Sequence, residues 1–259
     1  MRILFIADIV GKPGRAGLKR AMPELRQQHS PDLVIANGEN AAGGLGITEG
    51  TAAEIYEAGV DVITLGNHTY RHREVYDYLD REERIVRPAN YMKGNPGRGS
   101  TVVEAAGRRV GVVNLSGQVA MRAARSPFPE ADAIVDRLGR EADAILVDFH
   151  AETTSEKVAM GWHLDGRVAA VVGTHTHVPT ADARVLPGGT AYISDVGMTG
   201  SRDGVLGVRR EQALEGFRTQ LPVKFTTSDE NVWVNAVVVT ARDDGLAESI
   251  EQVLVAVAG

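Results

Sequence analysis

Short apolar, β-branched runs recur along the whole chain, and each one stops at a glycine or a polar residue. The runs cover residues 3–7, 33–37, 60–65, 110–115, 144–149, 168–173 and 191–194. Their near-continuous apolarity is the mark of strands buried on both faces. Stretches of helical character separate several of them. One runs from Pro13 to about residue 28 with proline in its first turn. Another covers 48–58, opening at Thr48 with Thr51 and Glu54 as a capping pair. Two more cover 130–142 and 155–164. Alternating strands and helices predict an α/β fold, and with no linker in sight the expectation is one domain over residues 1–259.

Two segments break the alternation. Residues 101–105 and 109–113 flank Ala106-Gly107-Arg108 and read as a hairpin. Residues 232–240 and 246–255 flank Asp243-Asp244-Gly245, a favourable hairpin turn. The stretch 246–255 suits a helix equally well through Ala247, Glu248 and Glu251. Mixed sheets with antiparallel members follow.

The residues able to bind metal sit where the buried runs end. Asp8 follows 3–7; Glu39 and Asn40 follow 33–37 across Gly38; Asn67 and His68 follow Leu65 across Gly66. His150 ends 144–149, and His175 and His177 follow Gly173. In α/β sheets ligands bind at the carboxyl ends of strands. Singly, Asp8 serves as a turn former, Glu39-Asn40 as loop and His150 as a core histidine. Jointly they make a metal site. Alternate histidines on an extended segment point the same way, so His175 and His177 are expected to reach one cluster.

Carboxylate, carboxamide and imidazole donors with no thiolate, since the chain has 0 cysteines, suit manganese, iron or zinc. The set exceeds the coordination number of one such ion, so two divalent ions are expected, manganese or iron ahead of zinc or magnesium. Paired ions about 3.5–4 Å apart are a clamp for displacement at phosphorus. A net charge of −6 argues against coating of nucleic acid, but bound cations invert the local field for a small phosphorylated substrate. No apolar window approaches the ~18 residues of a membrane span. With a first apolar run confined to residues 3–7, the expected location is cytoplasmic.

The series Asp8, Gly38-Glu39-Asn40, Gly66-Asn67-His68, His150 and Gly173-Thr174-His175-Thr176-His177 resembles the calcineurin-like metallophosphoesterases. Two positions depart from the usual pattern: Asp8-Ile9-Val10 lacks the histidine of Asp-x-His, and Glu39 stands for the bridging aspartate. These departures resemble the YmdB branch, as do Ala159-Met160-Gly161-Trp162 and Ser194-Asp195-Val196-Gly197-Met198-Thr199-Gly200. Barrel-type amidohydrolases, by contrast, place the His-x-His pair first and the aspartate last. The resemblance implies a sandwich of two mixed β-sheets flanked by helices, a dinuclear site, and phosphodiesterase activity on 2′,3′-cyclic nucleotides. It also implies a homo-oligomer.

Carried over residue by residue, Asp8, Glu39, Asn40 and His177 hold the first ion. Glu39, Asn67, His150 and His175 hold the second, with Glu39 bridging. The expected nucleophile is a bridging hydroxide, and His68 is the expected general acid. The loop Gly43-Gly44-Leu45-Gly46 reads first as a turn and second as a close approach to phosphate or nucleoside. His29 suits a helix C-terminus, His72 is a candidate supporting residue, and His163 beside Trp162 reads as packing. The competing readings are a phosphomonoesterase or nuclease on the same site, or a regulatory interaction protein with little turnover.

Overall fold

The computed structural model describes residues 1–121 and 125–257. The chain begins β1 (Arg2–Ile6), β2 (Asp8–Ile9), α1 (Gly11–His29), β3 (Leu33–Asn37), α2 (Glu49–Glu57), β4 (Val62–Thr64), α3 (Tyr76–Arg81) and β5 (Ile85–Val86). A hairpin follows, β6 (Ser100–Ala105) and β7 (Arg108–Ser116), then α4 (Pro127–Leu138), β8 (Ala144–His150), α5 (Thr154–His163) and β9 (Ala170–Thr174). The last part holds β10 (Arg184–Val185), β11 (Ala191–Ile193), β12 (Met198–Ser201), α6 (Arg210–Thr219), β13 (Val232–Ala241) and β14 (Ala247–Ala256).

Two mixed sheets result. One runs β2-β12-β13-β1-β3-β4-β5, with β14 on the free edge of β13; the other runs β10-β11-β9-β8-β7-β6. Every residue of β3, β8 and β9 is buried, as their continuous apolarity requires. Period-two alternation sorts the side chains into layers. Ile3, Phe5, Leu33 and Ile35 of the first sheet meet Val110, Val112, Leu146 and Val172 of the second between the sheets. On the first sheet's outer side Leu4, Ile6 and Val34 pack with Leu18, Met22 and Leu25 of α1 and Ile55 of α2. On the second sheet's outer side Val147, Phe149 and Val171 pack with Ile134 and Leu138 of α4 and Met160 of α5. This is the sandwich flanked by helices.

The stretch 246–255, ambiguous in sequence, is strand β14 at a sheet edge: Ala247 and Val253 are buried, while Glu248 and Glu251 are exposed. The cap of α2 lies one turn earlier than expected. Thr48 and Thr51 form the reciprocal box, and Glu54 instead receives the Arg15 guanidinium at 2.7 Å. Helix α4 opens at Pro127 rather than at 130, with proline in its first turn.

Sheet topology aims the strand ends. β1, β3 and β4 are mutually parallel, as are β7, β8 and β9. β13 accepts two partners along one edge, β1 beside residues 236–240 and β12 beside Val232 and Trp233. The chain therefore steps from β13 onto β12 after Ala7, pairing Asp8 with Met198, and this step turns Asp8 toward the gap between the sheets. Asn37 crosses that gap, donating from Nδ2 to Asp148 Oδ2 at 2.9 Å.

Candidate metal centre

The expected donors converge from both sheets. Glu39 Oε1 lies 3.1 Å from His150 Nε2 and accepts from Asn40 Nδ2 at 3.1 Å. On one side, His177 Nε2 lies 3.0 Å from Asn40 Nδ2 and 3.8 Å from Asp8 Oδ1. On the other, His150 Nε2 lies 2.9 Å from Asn67 Oδ1 and 3.1 Å from His175 Nδ1. The contacts fall into two groups that share Glu39. His68 sits at the rim, its Nδ1 2.9 Å from Asn40 Oδ1 and 3.2 Å from Glu39 Oε1. Asp8, Glu39 and His150 are fully buried, whereas Asn67 is exposed and His68 half-buried.

The His-x-His segment is not extended. β9 ends at Thr174, and His175 and His177 both adopt left-handed backbone, with φ of 98° and 65°. Non-glycine residues hold such conformations only when their surroundings enforce them. Here Asp195 does so: its Oδ2 accepts from Thr176 N at 3.0 Å and Thr176 Oγ1 at 2.7 Å, and Lys157 Nζ donates to the same oxygen at 2.6 Å. Thr176 is drawn away from the cluster and the two imidazoles are turned toward it. His175 N donates to Asp8 Oδ2 at 3.2 Å.

Further groups fix ring orientation. Thr174 Oγ1 lies 2.9 Å from His150 Nδ1 and donates to Asp148 Oδ1 at 2.7 Å. That relay turns the ring so that His150 Nε2 faces Glu39, the usual arrangement behind a metal-binding imidazole. Glu152 Oε2 lies 2.9 Å from His175 Nε2, leaving Nδ1 toward His150. Sequence reasoning assigned no role to Asn37, Asp148, Glu152, Lys157, Thr174 or Asp195. Asp148 shares a strand face with His150 and Asp195 follows a buried run, so both carried the signal that found the donors. Lys157, on a helix, carried none.

Burial raises the Asp8 carboxyl well above the ordinary range, against the pull of His150. Burial pushes Glu39 upward too, but His150 and His68 outweigh it and hold it well below the usual value. His150, disfavoured as a cation by burial, is nonetheless raised to about 9 by Glu39, Asp8 and Asp148. Burial and the neighbouring His150 lower His175 to about 3, and burial lowers His177. Two imidazoles are thus kept neutral, the state in which they ligate metal.

Divalent cations fit these residues. Asp8 Oδ1 is buried with no hydrogen-bond partner. Among the described residues no lysine or arginine pairs with Asp8 or Glu39, although buried carboxylates need compensating charge. Ligand atoms of Glu39, His150 and His175 lie within 4.8 Å of one another. The cluster floors a cavity of about 310 Å³ also lined by Gly44, Leu45 and Leu206, with no lysine or arginine in its described lining. The glycine loop is therefore a turn, with Gly43, Gly44 and Gly46 at positive φ, that also borders the cavity. His72 stays outside the cluster and holds that loop, its Nε2 2.9 Å from Leu45 O. His163 packs edge-on to Phe128 and lies 3.0 Å from Asp132.

The profile of the family described as YmdB-like protein matches residues 4–253. The chain belongs to the YmdB-like family. It is 47% identical over 256 residues to a 2′,3′-cyclic-nucleotide 2′-phosphodiesterase of Bacillus subtilis, covering 98% of this chain and 97% of that protein. The crystal structure of a phosphatase from Mycoplasma pneumoniae superposes with a TM-score of 0.92 at 34% identity, covering 99% of this chain and 93% of that one. A 5′-nucleotidase precursor from Thermus thermophilus matches at TM-score 0.59 and 15% identity, over 99% of this chain and 54% of that one, a likeness of fold. The sandwich of this YmdB-like chain is the calcineurin-like metallophosphoesterase fold.

Proposed function

We propose that this protein is a metal-dependent phosphodiesterase that opens small cyclic phosphodiesters, with 2′,3′-cyclic nucleotides as substrates. The observation that carries this reading is the cluster of strand-end donors around two buried carboxylates that no lysine or arginine pairs with among the described residues, in a cavity whose described lining has no lysine or arginine for a phosphate. The 47% identity to the Bacillus enzyme supports the substrate class.

Asp8, Glu39, Asn40 and His177 would hold one divalent ion, and Glu39, Asn67, His150 and His175 the other. Manganese or iron bound there would supply charge neutralisation at phosphorus and a lowered pKa for bound water. The Asp148–Thr174 relay and Glu152 fix the imidazole faces. His68, half-buried at the rim, delivers a proton to the departing sugar oxygen, a role typically worth about 10²–10⁴ in rate. Asn40 would fill the coordination space left by the histidine absent at Val10, offering a carboxamide oxygen and making the first site the harder one.

No helix among the described residues is long and apolar enough to cross a membrane. The reading takes the protein as cytoplasmic and as a homo-oligomer. Phe217 and Leu214 on α6, with Leu221 and Phe225 after it, form an exposed apolar face that supports association. The test is turnover by metal-stripped protein with manganese, iron, zinc or magnesium restored. The substrates are 2′,3′- and 3′,5′-cyclic nucleotides, phosphomonoesters and short RNA. Preferential opening of the 2′,3′-cyclic diesters is expected. A preference for monoesters would move the assignment to a phosphomonoesterase, and inactivity on all of them to a regulatory protein.

A further inference from the structure

A second cavity of about 550 Å³ adjoins the metal cavity. His177 and Leu206 line both, so these two residues form the ridge between them. The second cavity has an aromatic wall: Trp233, with the Arg202 guanidinium 4.3 Å from its ring centre. Asn235 also lines it and is only 8% exposed. The Asn235 main-chain carbonyl accepts from Ala7 N at 2.9 Å, but its carboxamide has no hydrogen-bond partner among the described residues. A carboxamide left free on a cavity wall offers an incoming ligand both a donor and an acceptor. The volume falls within the range of small-molecule sites.

We propose that this cavity is a nucleobase subsite, an inference that rests on the cyclic-nucleotide reading above. The base stacks against the Trp233–Arg202 pair, and the Asn235 carboxamide, donor and acceptor together, meets its hydrogen-bonding edge. The sugar crosses the His177–Leu206 ridge and the phosphate enters the metal cavity. Stacking and one carboxamide suit every base, because each has a π face and an edge with donor and acceptor. The subsite therefore selects nucleotides over other cyclic diesters rather than one base over another.

The test compares 2′,3′-cyclic AMP with the base-free methyl riboside 2′,3′-cyclic phosphate in metal-loaded wild type, Trp233→Ala and Asn235→Leu. For Trp233→Ala, KM for the nucleotide is expected to rise about 5- to 150-fold, the span of base–aromatic stacking, with kcat/KM for the riboside unchanged. For Asn235→Leu the same split is expected. The chain has 2 tryptophans, so Trp162→Phe leaves Trp233 as the sole tryptophan, and adenosine is expected to quench its emission. Quenching without hydrolysis of any cyclic nucleotide would uphold the subsite and remove the substrate reading. Hydrolysis with neither quenching nor a change in KM would overturn the subsite alone. Equal losses on both substrates would mark Trp233 as structural and overturn the proposal. A shift in sedimentation with KM unmoved would do so too, by assigning the face to contacts between copies.

Discussion

A methyl group at Gly66 would meet the Glu39 carboxylate and the His150 ring together. Glycine there is a consequence of how closely the end of β4 approaches the donors, and the Gly66→Ala variant tests it. It is expected to lose metal content and turnover together while keeping its far-ultraviolet circular dichroism; normal metal content would show that the approach is slack. His68 makes the opposite case. His68→Ala is expected to retain metal, by elemental analysis, and to lose about 10²–10⁴ in kcat; metal lost in step with turnover would make His68 a ligand. That these residues would gather in one place was legible in sequence because each follows an apolar run. Their supporting partners were less so. Asp148 looks like any polar residue within a strand until Thr174, from the neighbouring strand, is placed between it and His150. Glu152 carries no sign of a role until His175 Nε2 is placed 2.9 Å from its carboxylate.

At the scale of elements, α5 serves the loop after β9 through a single buried ion pair. Lys157 and Asp195 are each 1% exposed, and Asp195 spans Lys157, Thr176 and, through Oδ1, Gly197 N at 2.8 Å. Removing one partner of such a pair leaves an uncompensated buried charge, commonly at roughly 3–5 kcal/mol. Lys157→Met is therefore expected to lower unfolding free energy by about that amount in urea titration. It should also weaken manganese binding about 10- to 100-fold, because the His175–His177 loop loses its anchor. Unchanged binding in a folded variant would show that the loop holds itself. This anchor explains why the His-x-His segment departs from the extended strand its spacing suggested: a helix distant in sequence decides its backbone. The same limit applied to β14, where local composition was neutral between helix and strand until the free edge of β13 supplied hydrogen bonds. The longer strands and α1, α2, α4 and α5 were legible from their patterning, whereas α3, α6 and β12 drew no such reading. The two-residue strands β2, β5 and β10 were not legible, since so short a segment has no period.

Across the whole molecule, the site exists because two sheets pack face to face with their parallel strand ends on one side. Phe5, fully buried between the sheets, holds that register. Phe5→Ala is expected to destabilise the fold by about 3–5 kcal/mol in denaturant titration, with saturating metal restoring part of the loss by binding only the folded state. Failure of metal to shift the transition would separate the cluster from folding. That the fold would be α/β was legible from the alternation of runs; that the sheets would stack so as to place Asp8 beside His177 rested on the family resemblance, because layer packing is set by residues far apart in the chain. The chemistry proposed for this site requires cations to fill the cluster. Metal-stripped protein titrated with manganese while 2′,3′-cyclic AMP hydrolysis is followed tests it most directly. Turnover is expected to be absent at first and to rise to a plateau at two equivalents per chain; hydrolysis at full rate before any metal is added would contradict it.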